Sequence, residues 1–216
     1  MTATELSLGK VYVHALFVRV FHWVNALGII LMIMSGWRIY NASPLFDFKF
    51  PREITLGGWL GGALQWHFAA MWLLVINLLV YVIVGFASGH FRRRFTPVSP
   101  SSVLGDMAKA LKGKLPHSDI TYNAVQKAAY IGVLLAIILT IISGAVVWKP
   151  VQLQELGILM GGYEGARLVH FFGMAVICAF IVLHLALVLL VPSTLIPMIV
   201  GWARKGKAEQ EAGHEH

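Results

Sequence analysis

Four long apolar runs, separated by polar segments, set the pattern of this chain. They extend from about Ala15 to Ile39, Leu64 to Ser88, Asn123 to Trp148 and Arg167 to Val191. Each has the roughly 20 apolar residues that cover a ~30 Å hydrocarbon core at about 1.5 Å rise per residue, so each predicts a membrane-spanning helix. The segment from Tyr40 to Gly58 carries Pro44, Pro51 and several aromatics and predicts a loop. Its GGWLGG stretch, Gly57 to Gly62, loosely resembles phosphate-loop spacing. No strand precedes it, and a flexible interfacial loop is the better reading. Between the second and third runs lies the chain's one sustained polar stretch. Pro192 and Pro197 end the fourth run, and Pro192 to Trp202 predicts a short amphipathic helix along the interface. The expected architecture is all-α. It has a leader over residues 1–14 without cleavable signal features, a four-helix membrane domain over 15–191, and an interfacial helix with a tail over 192–216.

Composition agrees: 12% of residues are charged and 58% hydrophobic, whereas a soluble domain carries about 25% charged residues. The formal charge of +7 does not indicate nucleic acid, because of where the cations lie. Twelve of the 17 Lys and Arg fall at the N-terminus, between Gly89 and Lys127, or in the C-terminal tail. The two remaining loops hold five, with four acids among them. That asymmetry places both termini and the polar middle loop in the cytoplasm, and Arg92, Arg93 and Arg94 read as a topology anchor near anionic lipid. The single cysteine, Cys178, excludes an internal disulfide or a thiolate-bound iron–sulfur cluster, and reads as helix packing.

Four histidines change the picture from a bundle to a site. His170 and His184 are 14 residues apart in the fourth run. At 3.6 residues per turn that is within roughly 40° of four full rotations, so both rings leave one helix face about 21 Å apart. His22 lies toward the cytoplasmic end of the first run and His67 toward the outer end of the second. Depth therefore pairs His22 with His184 and His67 with His170. Two bis-histidine sites stacked in a four-helix bundle suit two haems, each iron taking one imidazole from each of two helices. Such ligation leaves no open coordination position and favours electron transfer over oxygen chemistry. Buried histidines that merely hydrogen-bond a neighbouring helix account less well for four residues paired by depth. A di-iron site needs carboxylates, which the four spans lack. His14, His90, His117 and the terminal GHEH lie in loops, helix ends or the tail.

The first and third runs end alike, ILMIMSGWRIY against ILTIISGAVVWK. The match is short enough to arise by chance. A glycine at the depth of Gly36 and Gly144 would let a flat ring or another backbone approach closely.

With RVFHW in the first run, QWHF in the second and two histidines 14 apart in the fourth, the chain resembles the bacterial cytochrome b-561/nickel-hydrogenase cytochrome b superfamily over roughly Tyr12 to Val191. That group includes the membrane cytochrome b subunits of hydrogenases, formate dehydrogenases and thiosulfate-reductase-like enzymes. The resemblance implies that His22, His67, His170 and His184 ligate two haems b. It also places a quinone pocket near YNAVQK, Tyr122 to Lys127, where Asn123 and Gln126 share a helix face and could meet a quinone carbonyl. An N-cap role for Asn123 and a solvated first-turn role for Gln126 remain equally open. Arg19 and Arg38 are candidate haem-propionate contacts, though interfacial snorkelling explains them as well.

The implied protein is a multi-pass di-haem cytochrome of the bacterial cytoplasmic membrane. It would pass electrons between quinone and a periplasmic redox partner of molybdoenzyme or hydrogenase type, as a subunit rather than an independent enzyme. Lipid and quinone are expected partners, nucleic acid is not, and a homodimer stays open. The alternative is a stand-alone oxidoreductase that carries electrons from a small periplasmic reductant such as superoxide to quinone.

Overall fold

The computed structural model describes residues 10–88 and 124–204. The leading strand β1 (Lys10–Tyr12) is followed by the long helix α1 (Leu16–Ala42), a 3₁₀ turn at Arg52–Ile54 and helix α2 (Leu60–Ala87). Helix α3 (Ala124–Trp148), the short helix α4 (Gln154–Leu159) and α5 (Gly162–Leu190) come next. A 3₁₀ turn at Pro192–Thr194, helix α6 (Leu195–Val200) and strand β2 (Trp202–Arg204) complete the described chain. Helices α1, α2, α3 and α5 are long and apolar enough to cross a membrane.

Helix boundaries follow the local chemistry. Pro44 restricts Ser43, which leaves helical geometry at φ −144° and ψ 78° and ends α1. Helix α2 starts four residues earlier than the apolar pattern suggests. Gly57 and Gly58 take positive φ, whereas Gly61 and Gly62 lie inside the helix beneath the Trp59 ring. Leu56 N–H donates to the Met34 carbonyl at 3.0 Å, which fastens this loop to α1. Helix α5 starts five residues earlier than expected, at Gly162, where Gly161 and Gly162 take φ of 84° and 82°.

Close approach is concentrated in two hairpins, α1 with α2 and α3 with α5. Small residues form the seams: Gly28 faces Leu74, Gly173 faces Thr140, and Ala63, Ala70 and Ala166 are buried. Helices in lipid associate through such close packing because lipid tails remove the hydrophobic drive between them. Asn77 Nδ2 donates to the Phe21 carbonyl at 3.2 Å across the first hairpin. An interhelical polar bond of this kind averages about 0.6 kcal/mol in a membrane, so packing carries most of the hairpin. Large apolar side chains such as Ile83, Val182 and Leu183 point outward.

The hairpins meet at both ends. Around the loops, Tyr40 and Phe46 pack on Phe171 with ring centroids 5.4 and 5.3 Å apart, and Trp37 stacks on Phe50 at 4.7 Å. At the opposite end β1 pairs antiparallel with β2 in the register Tyr12↔Trp202. Part of the expected leader is thus held in a short ladder, with the Tyr12 and Trp202 rings edge to face at 5.1 Å.

Candidate functional site

The two histidines of α5 each meet a partner from the first hairpin. His184 lies beside His22 of α1, with ring centroids 6.1 Å apart and planes at 62°. His170 lies beside His67 of α2, with centroids 6.4 Å apart and planes at 70°. A metal bonded to one nitrogen of each ring at about 2 Å, with a further ~1 Å from nitrogen to centroid, would place coaxial imidazoles about 6 Å apart. A direct N···N hydrogen bond would bring them roughly 1 Å closer. Both pairs therefore fit a group held between two imidazoles. Two facing imidazoles are the protein donor set of a metal whose remaining ligands come from a macrocycle.

The pair near the loops sits in a cradle built twice. Ser35 Oγ donates to the Leu31 carbonyl at 2.6 Å and lies 3.0 Å from His67 Nδ1. Ser143 Oγ donates to the Leu139 carbonyl at 2.8 Å and lies 3.3 Å from His170 Nδ1, which also faces the Thr140 carbonyl at 2.9 Å. The Met32 carbonyl is the corresponding backbone partner of His67. A hydroxyl has one proton, already given to its own helix, and a carbonyl can only accept. The network thus assigns a proton to each Nδ1 and leaves each Nε2 lone pair free. A Cβ on Gly36 would stand 3.4 Å from His67 Cε1, and one on Gly144 would stand 2.9 Å from His170 Cε1. The shared Ser-Gly ending is a device: serine orients an imidazole and glycine makes room for it. Ser35 and Ser143 are fully buried.

The second pair is held by packing. His22 sits against Trp23 at 5.3 Å, and Phe180 stacks on His184 at 6.0 Å with planes 9° apart. Among the described residues neither ring has a hydrogen-bond partner.

One turn before each of two histidines stands an arginine: Arg19 before His22 and Arg167 before His170. Arg19 Nη1 donates to the Ile199 carbonyl at 2.6 Å, and Trp23 Nε1 to the Met198 carbonyl at 3.2 Å, drawing α6 onto α1. Arg167 Nη2 donates to the Ser43 carbonyl at 2.6 Å, joining α5 to the end of α1. The repeated Arg-x-x-His and the two serines are both visible in the sequence as internal matches, the serines within the shared Ser-Gly ending, but the sequence alone gives neither a role. Arg38 lies near the loops, lining a cavity with Lys49 and Arg52. Arg19 Nε is buried without a partner. Asn123 and the side chain of Gln126 lie outside the described residues, as do Arg92, Arg93, Arg94, His90, His117 and the GHEH tail.

The model of the prokaryotic cytochrome b561 family matches residues 13–201. The chain belongs to the prokaryotic cytochrome b561 family. It is also 53% identical over 190 residues to the putative protein-methionine-sulfoxide reductase subunit YedZ1 of Azospira oryzae, covering 88% of this chain and 96% of that protein. This cytochrome b561 is a multi-pass inner-membrane protein that binds b-type haem and transfers electrons. The bundle supplies two facing imidazole pairs in an apolar setting, the donor set such a haem requires.

Proposed function

We propose that this cytochrome b561 is the di-haem membrane subunit of a reductase, carrying electrons from quinol to a periplasmic catalytic partner. The observation that carries the reading is the pair of facing imidazole sets on α5: His67 with His170 near the loops and His22 with His184 near the termini. With both termini cytoplasmic, as the cation distribution indicates, the loop-end pair faces the periplasm. The relative's name supports a methionine-sulfoxide reductase as the partner. Reducing a sulfoxide to a thioether and water takes two electrons and two protons, and quinol oxidation releases the same number. Electrons would therefore run inward to outward, with Asn123 and Gln126 as candidate quinone contacts.

Bound haem b would supply one-electron ferric–ferrous chemistry, and His67 with His170 or His22 with His184 would hold it. The chain holds a proton at Nδ1 of His67 and His170 and leaves Nε2 of each free to bind the metal. Its apolar spans exclude water, and the 14-residue spacing on α5 sets the two sites about 21 Å apart along the helix.

The test is haem stoichiometry by pyridine haemochrome on the purified chain. Two haems b are expected, at least one reducible by quinol; a single haem, or none, would overturn the reading. His67→Ala and His170→Ala should each leave one haem, the double variant losing no more than either alone. His22→Ala and His184→Ala should behave likewise for the other haem. Loss of both haems from every single variant, with the fold intact by circular dichroism, would refute two independent sites.

A further inference from the structure

Arg38, Lys49 and Arg52 line one cavity of about 420 Å³ at the loop end of the first hairpin, with Leu60 and Phe50 among its apolar walls. No ion pair or side-chain hydrogen bond engages any of these three cations among the described residues. Asp47 and Glu53, the acids of the same loop, do not line it. Asn41 also lines it, but its amide is committed to the Phe50 backbone at 2.8 and 2.9 Å. Three unpaired cations around one hollow repel one another until an anion enters, and guanidinium groups match phosphate oxygens in bidentate geometry.

Position identifies the anion. Arg38 lies in the last turns of α1 and Leu60 begins α2, so the cavity stands at the depth of the lipid headgroups. At its rim Leu60 is 45% exposed, and the adjoining Trp59 is 68% exposed, an aromatic of the kind that settles at a membrane interface. Arg38 leaves α1 about 200° from Gly36, the residue against His67, so it is directed away from the imidazole pair. A ligand with an anionic head and apolar tails meets every wall of this site.

We propose that the cavity formed by Arg38, Lys49 and Arg52 binds the phosphate headgroup of an anionic phospholipid, whose acyl chains extend along the first hairpin. The haem-bound chain in detergent would be titrated with phosphatidylglycerol or phosphatidylcholine and read by native mass spectrometry. Selective binding of phosphatidylglycerol is expected. Lys49→Gln and Arg52→Gln, both on the exposed loop and harmless to folding, should each weaken it about fivefold, and adding Arg38→Gln should abolish the selectivity. Equal binding of both lipids, or unchanged selectivity in the triple variant, would overturn the proposal. So would displacement of the lipid by millimolar inorganic phosphate, which would make this a free-anion site. Loss of haem absorbance with lipid selectivity intact would reassign the cations to haem propionates. Loss of binding to the catalytic subunit, again with lipid selectivity intact, would make the cavity a protein contact.

Discussion

The Ser35 hydroxyl lies 3.0 Å from Nδ1 of His67 while giving its own proton to the Leu31 carbonyl at 2.6 Å. Toward the imidazole it can only accept, so it fixes which nitrogen is protonated. Ser143 does the same for His170 in the other hairpin, at 3.3 Å. Ligating imidazoles held this way are more basic and favour the oxidised metal. His22 and His184 have no such acceptors among the described residues. Among the described residues, then, hydrogen bonds hold the pair near the loops and packing holds the pair near the termini.

Removing the serine acceptor therefore has a direction. If His67 and His170 hold the loop-end haem, Ser35→Ala should weaken the hold on the Nδ1 proton and raise that haem's midpoint potential. A bond worth about 0.5–1.5 kcal/mol corresponds to roughly 20–60 mV for a one-electron couple. Ser143→Ala should shift it less, because its oxygen is farther from the ring, at 3.3 Å against 3.0 Å, while a backbone carbonyl, Thr140 or Met32, remains beside the ring in either variant. Redox titration followed in the haem α-band measures both. Unchanged potentials in both variants would reduce the serines to packing.

The paired glycines separate by the room left for a methyl. Gly144→Ala places a Cβ 2.9 Å from His170 Cε1, closer than such contacts occur, and the ring is pinned by the Thr140 carbonyl. Gly36→Ala leaves 3.4 Å to His67 Cε1, which a shift of a few tenths of an ångström accommodates. Overpacking costs about 1–3 kcal/mol, against a gain of up to about 1 kcal/mol from replacing a helical glycine. Gly144→Ala should lose loop-end haem on purification, whereas Gly36→Ala should keep it with an unchanged or raised Tm. Equal haem content in the two variants would contradict this geometry.

The sequence made the spans and the histidine pairing legible for one reason: a membrane forces both into a one-dimensional problem. Apolar length marks each crossing, and depth along it ranks each histidine. Contacts lateral to the membrane normal carry no such ruler. Ser35 reads as an ordinary small residue until its helix is rotated against His67. The Phe46, Phe48 and Phe50 cluster reads as loop because Phe171, the partner that ties it to α5, is distant in the chain. Glycine pairs mislead in one direction: Gly57 and Gly58 break the chain as their loop reading expects, whereas Gly61 and Gly62 lie inside α2, beneath the Trp59 ring. The serine–glycine repeat was visible, but its target was an imidazole on the neighbouring helix.

Arg19 and Arg167 each stand three residues before a histidine and donate to a backbone carbonyl of a different segment, both at 2.6 Å. Such a bond sets the rotation and height of its helix one turn from the ligand. Arg167→Gln would lose the bond to Ser43 and the ion pair to Glu164. Glu164 is 67% exposed, so that ion pair adds little and Glu164→Gln should lie close to wild type. A charged hydrogen bond contributes about 1.5–3 kcal/mol, so Arg167→Gln should lower Tm and loosen the His67–His170 site. Arg19→Gln should instead release α6 and disturb the His22–His184 site. Recording low-temperature spectra of the two haems distinguishes the cases. Each arginine should perturb only the band of its own site, and a common effect of both variants on one haem would contradict a local role for either.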